Sequence, residues 1–225
     1  MGDFLFKFRS MKNYFLVLLL FVVFSISKSH AQFINDVRGR PVTELRYTNI
    51  TGSPYYNDKF VTGTVKLEGN LKETSALIQY DQIGDLVLVK NKLEDQPIEV
   101  TDKIAVFKLF MPTDTVSFRS LPGLEGYYEV LYDGSTPFFK RTKKKIIDNQ
   151  IYNSAAIEKT VNSALTYYII TKSKEVVQVK LDKKGFLNVL NDKSKELSDF
   201  ISMEKINFKE QKDIIKLLSY YDGLK

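Results

Sequence analysis

Hydrophobic and polar positions alternate in short runs between residues 43 and 141, and turn residues separate these runs. In the run FVTGTVKL, Val61, Val65 and Leu67 fall on one face of a strand, and the polar residues between them fall on the other. A two-residue period of this kind predicts a half-buried β-strand. Similar runs follow at SALIQYD, DLVLVKN, KIAVFKLF and TVSFR. They predict an antiparallel meander of about seven strands, because no helical crossover for parallel strands intervenes.

Two hairpins are predicted in the part of the chain that follows. In GYYEVLYDGSTPFFKR, Asp133 and Gly134 lie between two aromatic-rich runs, which is a strong signal for a tight turn. The runs TYYIITK and VVQVKL form the second hairpin, joined by residues 173–175. We therefore predict an α+β fold, in which an antiparallel meander, folded as a sandwich or an open barrel, precedes a β-hairpin and a C-terminal helical unit.

The period changes to helical spacing after Gly185. Asn207, three residues before Glu210, resembles a capping box that would start the last helix, and Gly223 would end it. Three groups of apolar residues each lie on one helical face: Leu187 and Leu190; Leu197, Phe200 and Ile201; and Ile214, Leu217, Leu218 and Tyr221. The tail is therefore predicted to pack its apolar side on the sheet.

The N-terminal segment has the pattern of an export signal. In MKNYFLVLLLFVVFSISKSHAQ, Lys12 precedes an almost unbroken apolar run from Tyr14 to Ile26. This run is shorter than the ~20 residues that a transmembrane helix needs. Because small residues at positions 29 and 31 flank His30, we predict signal cleavage between Ala31 and Gln32.

The start of the chain and its division into domains leave alternatives. The initiator is Met1 or Met11, and an uncleaved signal anchor is the alternative to cleavage. Residues 1–31 are predicted to be the signal, and no transmembrane span remains after its removal. Residues 32–148 form the predicted β domain, and residues 149–225 form the hairpin with the helices, either as a separate domain or packed with the preceding part.

Removal of residues 1–31 changes the chemistry that is open to the chain. The net charge falls from +6 to +3, which weakens a nucleic-acid interpretation based on total charge. The chain has no cysteine, and its only histidine, His30, leaves with the signal. This composition excludes disulfides, thiol nucleophiles, a lipoprotein cysteine, Ser/His and Cys/His catalytic pairs and the usual zinc sites. No cofactor, metal site or catalytic residue is predicted.

Three stretches carry a resemblance to known proteins. They are GSPYYNDKFVTGTV (residues 52–65), GYYEVLYDG, and the closing GFLNVLNDKSKELSDFI with IIKLLSYYDGL. Together they resemble a widespread set of uncharacterised exported proteins of Bacteroidota that have a β-rich body and a helical C-terminal tail. The resemblance implies export and an α+β build, and it brings no catalytic residue with it.

A run of cations, KRTKKK, is the first candidate binding feature. It contains Lys140, Arg141, Lys143, Lys144 and Lys145. Such a run can hold lipid headgroups, polyanions or other phosphates. The alternative is the end of a hairpin strand whose charges keep a sheet edge solvated. The sequence favours the second interpretation and leaves the first open.

Tyrosine doublets are the second candidate feature. Neighbouring residues of a strand point to opposite faces, so a doublet such as Tyr127-Tyr128 can place one ring in the core and one outside, although packing is the favoured explanation for most doublets. An outward ring can contact a glycan or a protein, because tyrosine is enriched at interfaces. In addition, Asp114-Thr115-Val116 resembles the short O-glycosylation sequence of exported proteins in the same bacterial group, which makes Thr115, expected in a loop, a candidate modification site.

Carboxylates provide the remaining candidates for chemistry. A glycoside hydrolase needs two converging carboxylates. The candidate acids are Glu125, Glu129 and Asp133 around the predicted hairpin and Asp81, Asp85 and Asp102 near predicted strand ends, and the sequence specifies no converging pair among them. Ser202 and Lys205 have the Ser-x-x-Lys spacing of penicillin-recognising enzymes, but the companion motifs are missing. This match is interpreted as chance.

These observations predict a non-catalytic binding or assembly module of the bacterial cell envelope, in the periplasm or at the cell surface. Its expected partner is another envelope protein or a glycan, and nucleic acid is not expected. Two alternatives remain open: a carboxylate-based hydrolase of envelope polysaccharide, and a polyanion- or headgroup-binding protein that uses residues 140–145. The oligomeric state does not follow from the sequence.

Overall fold

The computed structural model describes residues 37–42, 46–150 and 157–224. Their strands form one mostly antiparallel sheet, with the order β1-β6-β5-β4-β3-β7-β8-β9-β10-β11-β12, and β2 pairs in parallel with β11. The first strands are β1 (Gly39–Pro41), β2 (Ile50–Thr51), β3 (Val61–Leu67), β4 (Thr74–Asp81), β5 (Leu86–Lys90) and β6 (Ile98–Val100). The others are β7 (Ile104–Phe110), β8 (Thr115–Ser120), β9 (Tyr127–Tyr132), β10 (Phe138–Gln150), β11 (Ile157–Ile170) and β12 (Val176–Val179).

The described helices follow the sheet in the sequence. They are α1 (Lys183–Val189), α2 (Ser194–Met203) and α3 (Gln211–Gly223), with a short 3-10 turn at Asn191–Lys193. The predicted α+β class, with an antiparallel sheet before a helical tail, is therefore confirmed at this level.

Alternation of side chains explains how the sheet builds its core. Val65 and Leu67 of β3 are buried as predicted, while Thr62 is exposed. Phe107 of β7 lies opposite Phe118 of β8 in the strand register. Their rings stack with centroids 4.7 Å apart. Aromatic pairs of this kind stabilise a sheet beyond the area they bury.

The helical tail forms a second core with the end of the sheet. Phe138 and Ile169, which are paired between β10 and β11, are fully buried with Phe186 of α1 and with Leu217 and Leu218 of α3. All the residues predicted for the apolar faces of α2 and α3 are buried. The tail thus covers the paired ends of β10 and β11.

The start predicted for the last helix is wrong, although its end at Gly223 is confirmed. The helix begins at Gln211 rather than after Asn207. The Asn207 side chain accepts from Lys209 N at 3.0 Å, and Asn207 N donates to Asp213 Oδ2 at 2.9 Å. Asn207 therefore forms a local turn that precedes the helix instead of capping its first turn.

The largest departure from the prediction is the length of the hairpin formed by β10 and β11. The two strands pair without interruption from Phe138–Ile169 to Gln150–Ile157. The basic run at residues 140–145 lies in the middle of β10 and not at a strand end, so the strand-end interpretation is wrong on this point. Residue 148, at which the sequence analysis divides the chain, also lies within β10.

Of the glycosylation site and the cleavage site predicted from sequence, only the first lies among the described residues. Thr115 is the exposed first residue of β8 and pairs with Phe110, so it lies at a strand start instead of in the expected loop. Ala31 and Gln32, which flank the predicted cleavage site, lie outside the described residues.

Glu99 on β6 gives a pH-dependent contribution to stability. It is buried, it accepts from Arg40 Nη2 at 2.7 Å, and it also accepts from Arg46. Burial raises the pKa of Glu99, but the hydrogen bonds and charges of the two arginines outweigh this effect and lower it below its usual 4.5. A carboxyl whose pKa is lower in the folded state stabilises the fold above its unfolded pKa, and this contribution is lost as the pH falls through the folded pKa.

We therefore expect Glu99→Gln to reduce the free energy of unfolding by about 2 kcal/mol at neutral pH and to flatten its decline in acid, because hydrogen bonds to a charged group are lost. Urea denaturation from about pH 6 to about pH 3 measures both effects. Glu94→Gln, at an exposed position, is the control and should follow the unsubstituted protein. An unchanged acid slope in Glu99→Gln would contradict the assignment.

Candidate binding surface on the long hairpin

Arg141 is the centre of a part-buried polar network at the base of the hairpin. Its guanidinium donates to both carboxylate oxygens of Asp85, at 3.0 and 2.6 Å, and to Tyr127 O at 2.8 Å. The Tyr80 hydroxyl donates to the same carboxylate at 2.5 Å. Burial lowers the pKa of Arg141, but its bonds to Asp85 outweigh burial and raise it overall. Through these hydrogen bonds, Arg141 holds the β4–β5 turn against β10.

The backbone around this network fits only particular residues. Asp85 has φ +58, in the left-handed region that aspartate tolerates better than most residues. Gly126 has φ +82, and a Cβ there would lie 1.9 Å from Asp85 Oδ2 and 2.2 Å from Arg141 Nη2. Glycine at 126 is therefore required both by its conformation and by the closeness of the ion pair.

Two more cations of the basic run are also engaged. Lys140 Nζ lies 2.6 Å from Glu129 Oε2 on the neighbouring strand, and both side chains are largely buried. Lys144 Nζ donates to the carbonyl oxygens of Ser53 and Tyr55, at 3.1 and 2.6 Å. Burial lowers the pKa of Lys144. These two lysines point to the same face of β10, where they anchor the neighbouring strand and the segment before β3.

Lys143 and Lys145 are the cations of the run that remain available. They point to the face opposite Lys140 and Lys144, and both are exposed. Within the described ranges, neither of them forms an ion pair. Register places Ala164 beside Lys143 and Asn162 beside Lys145, so small side chains flank both lysines on β11. The anion-binding capacity of the run is thus concentrated in two lysines.

The structure packs both rings of the Tyr127–Tyr128 doublet, so neither is the outward ring on which the recognition alternative depends. The Tyr127 ring lies 5.2 Å from Phe107, and burial raises its pKa to about 12. Tyr128 is 4% exposed, its ring lies 5.2 Å from Tyr168, and its hydroxyl donates to Glu125 O. The sheet is covered on both faces at this point, which leaves neither ring free to stack on a sugar.

The acids considered for hydrolysis are held by separate partners. Asp81 is fully buried and accepts from the Tyr47 hydroxyl at 2.7 Å and from two backbone amides. The ion pairs of the other acids are Asp85–Arg141, Asp102–Arg38, Asp133–Arg119 and Glu129–Lys140. Glu125 is exposed. Each of these partners holds its acid in place and gives it a structural role.

Ser202 and Lys205 do not form a catalytic pair. The Ser202 hydroxyl donates to Ser198 O at 2.9 Å within α2. Lys205 lies beyond the end of that helix at Met203 and has φ +51. The two residues therefore lack the common helical turn on which the motif depends, and the chance interpretation stands.

The outer edge of β11 is open between two short pairings. β2 pairs with β11 at Lys159 and Thr160, and β12 pairs with it from Tyr167 onward. In the part of the chain that the structure describes, no strand pairs with the outer side of residues 162–166. Residues 162–165 are exposed, and Leu165 retains 54% of its accessible surface. This segment is an unpaired sheet edge.

Hydrogen bonds establish which main-chain groups point out of this edge. Ile170 N donates to Pro137 O at 3.0 Å, so even-numbered residues of β11 direct their main-chain groups toward β10. Lys144, which pairs with Ser163, donates its N–H away from β11 to Gln82 O at 3.1 Å, in agreement with this register. Ser163 and Leu165 therefore present their N–H and C=O groups to solvent at the open edge.

Neither a protein-family model, nor a curated protein, nor a solved structure matches this chain. Among residues 37–42, 46–150 and 157–224, no cluster of three or more acidic, histidine or cysteine side chains suits a metal ion. No helix of the same ranges is long and apolar enough to cross a membrane.

Sequence reasoning missed the open edge because the first half of β11 has no clear hydrophobic alternation. The run IEKTVNSALT is polar or small at most positions, since both faces of the outer hairpin are solvated. A signal was nevertheless present in the β-branched residues Ile146, Ile147, Thr160 and Val161, which favour strands.

Proposed function

We propose that this chain is an exported, non-catalytic binding or assembly module of the bacterial cell envelope. In this proposal it binds an extended segment of another envelope protein, which adds as a strand to β11 at residues 162–166. The observation that carries it is the open, uncharged edge between the pairings of β2 and β12. Strand addition uses main-chain hydrogen bonds for affinity and alternate side chains for specificity.

The composition of the edge supports this proposal. Natural proteins protect exposed edges with charges, prolines or bulges, because an unprotected edge pairs with other chains. The segment NSALT at residues 162–166 has none of these features, and its pairing with β10 is regular. Its neighbours on the same strand, Glu158 and Lys159, are charged. An edge left unprotected at one place is suited to a specific partner.

Export is a separate part of the proposal and rests on the N-terminal sequence. The basic start, the short apolar run and the small residues before Gln32 support cleavage and delivery to the periplasm or beyond. A protein partner is favoured over a glycan, because the tyrosine rings considered for stacking are packed.

We also propose that the sheet curls as an open barrel and not as a sandwich. Lys144 N of β10 donates to Gln82 O, next to β4, although several strands separate β10 from β4 in the sheet order. The Arg141–Asp85 pair bridges the same two regions. These contacts support a sheet whose distant strands approach one another.

The proposed function predicts a crosslink that depends on the edge. A photo-crosslinking side chain at position 165, in intact cells, should give one discrete adduct with an envelope protein. We expect Ser163→Pro to reduce this adduct at least tenfold, because proline removes an outward N–H while edge strands tolerate it. Mass spectrometry of the adduct should locate the crosslink in an extended segment of the partner.

Two controls make this experiment decisive. Ser163→Ala removes the hydroxyl but keeps the N–H, so it should retain the adduct. A probe at Met203, which is 72% exposed on α2, should not give the same adduct. The proposal would be overturned by the absence of an adduct at position 165, or by an adduct that Ser163→Pro leaves unchanged.

A further inference from the structure

We infer that the segment added to β11 is acidic on one face and apolar on the other. This inference rests on the proposed strand addition and specifies the chemistry of the partner. It follows from the two faces of the hairpin beside the open edge, which differ in the cations that they leave available. On the face of Ser163, Lys144 is already bound to main-chain carbonyl oxygens. Lys143 and Lys145 lie on one face, and Ser163 and Leu165 lie on the other.

The geometry of the sheet brings the two lysines within reach of an added strand. Neighbouring strands are about 4.8 Å apart, so the added strand would lie about 10 Å from β10, across β11. Ala164 and Asn162, the residues between them on this face, are small. A lysine side chain can lean across a small residue, and a carboxylate on the added strand can meet its ammonium group there.

The charges around the edge agree with this assignment. Lys140, Arg141 and Lys144 are occupied by partners within the fold, whereas Lys143 and Lys145 are exposed. The acid on the lysine face of β11 is Glu158, which accepts from the Thr51 hydroxyl at 3.1 Å beside β2. Lys143 and Lys145 therefore attract an acidic segment to residues 162–166, and Glu158 repels it from the part of β11 before them. This limits where the segment can pair.

The opposite face requires apolar side chains on the same segment. Leu165 keeps 54% of its surface exposed and lies beside the edge, and Val161 on the same face is only half-buried. Apolar residues at alternate positions of the added strand would cover them. A second copy of this chain is a poorer occupant, because its own residues 162–166 contain no carboxylate to meet the lysines.

Synthetic peptides test this inference directly. We expect a short peptide in which Glu alternates with Val to bind the chain, and the same peptide with Gln for Glu to bind about fivefold more weakly at low salt, as two exposed ion pairs are lost. Lys143→Ser/Lys145→Ser should bind both peptides equally, at the weaker level. Lys183→Ser/Lys184→Ser, which removes the same charge from α1, is the matched control and should keep the fivefold preference.

The possible outcomes separate the inference from the proposed function. Equal binding of both peptides to the unsubstituted chain, with loss of both in Ser163→Pro, would overturn the acidic preference but retain strand addition. Failure of both peptides to bind, or undiminished binding to Ser163→Pro, would overturn the proposed function and the inference with it. A dimer that Ser163→Pro converts to a monomer would make a second copy the occupant and would also overturn the inference.

Discussion

Arg141→Met is expected to lower the free energy of unfolding by about 2–3 kcal/mol, because the hydrogen bonds of a charged group in a part-buried ion pair are lost. Its side chain is 11% exposed, and it donates to Asp85 and to Tyr127 O. The substitution would leave the Asp85 carboxylate and the Tyr80 hydroxyl without this cation. Urea denaturation followed by far-UV circular dichroism measures the change.

A surface pair and a double mutant serve as controls for Arg141. Arg38 pairs with Asp102 at 2.9 Å, but its side chain is 89% exposed. Arg38→Met should therefore cost about 0–1 kcal/mol. Asp85→Asn combined with Arg141→Met should cost less than the sum of the single changes, because no unpaired charge remains. Equal effects of Arg141→Met and Arg38→Met would contradict a structural role for Arg141.

Phe186→Ala is the second change with a large expected effect. The Phe186 ring is fully buried, with its centroid 6.0 Å from that of Phe138 on β10 and 5.4 Å from that of Phe208. Truncation of a buried aromatic side chain leaves a cavity and costs about 3–5 kcal/mol. Because the ring contacts both the sheet and the helical tail, we expect hydrogen exchange of the two parts to accelerate together.

Met203→Ala is the control for this change, since Met203 is 72% exposed on α2. It should alter the free energy of unfolding by less than about 0.5 kcal/mol. Accelerated exchange in the helices of Phe186→Ala, with unchanged exchange in β10 and β11, would indicate that the tail is a separate domain. That is the alternative which the sequence leaves open.

Much of the fold follows from hydrophobic periodicity. Val65 and Leu67 of β3 are buried as their alternation predicts, and so are Leu197, Phe200 and Ile201 of α2. Each of these elements has one buried face, so the spacing of its apolar residues in the sequence identifies that face.

The candidate site was less predictable from sequence, because contacts with residues far away in the sequence, and not the local pattern, decide which of its side chains are engaged. Arg141 and Lys143 are alike in the sequence, but only Arg141 meets Asp85, which is 56 residues away. Likewise, Tyr128 is buried because Tyr168 and Arg141 cover its face. The strands that leave residues 162–166 open, β2 and β12, are short and distant in the sequence. Contacts of this kind depend on the topology of the sheet.

Hydrogen exchange at single amides tests the central claim most directly. The N–H groups of Ser163 and Leu165 face solvent at the open edge, whereas Ile169 N–H faces β12. On binding of the Glu–Val peptide, we predict that exchange at Ser163 and Leu165 slows at least tenfold, while exchange at Ile169 is unchanged. Peptide binding without slower exchange at Ser163 and Leu165 would contradict strand addition to β11.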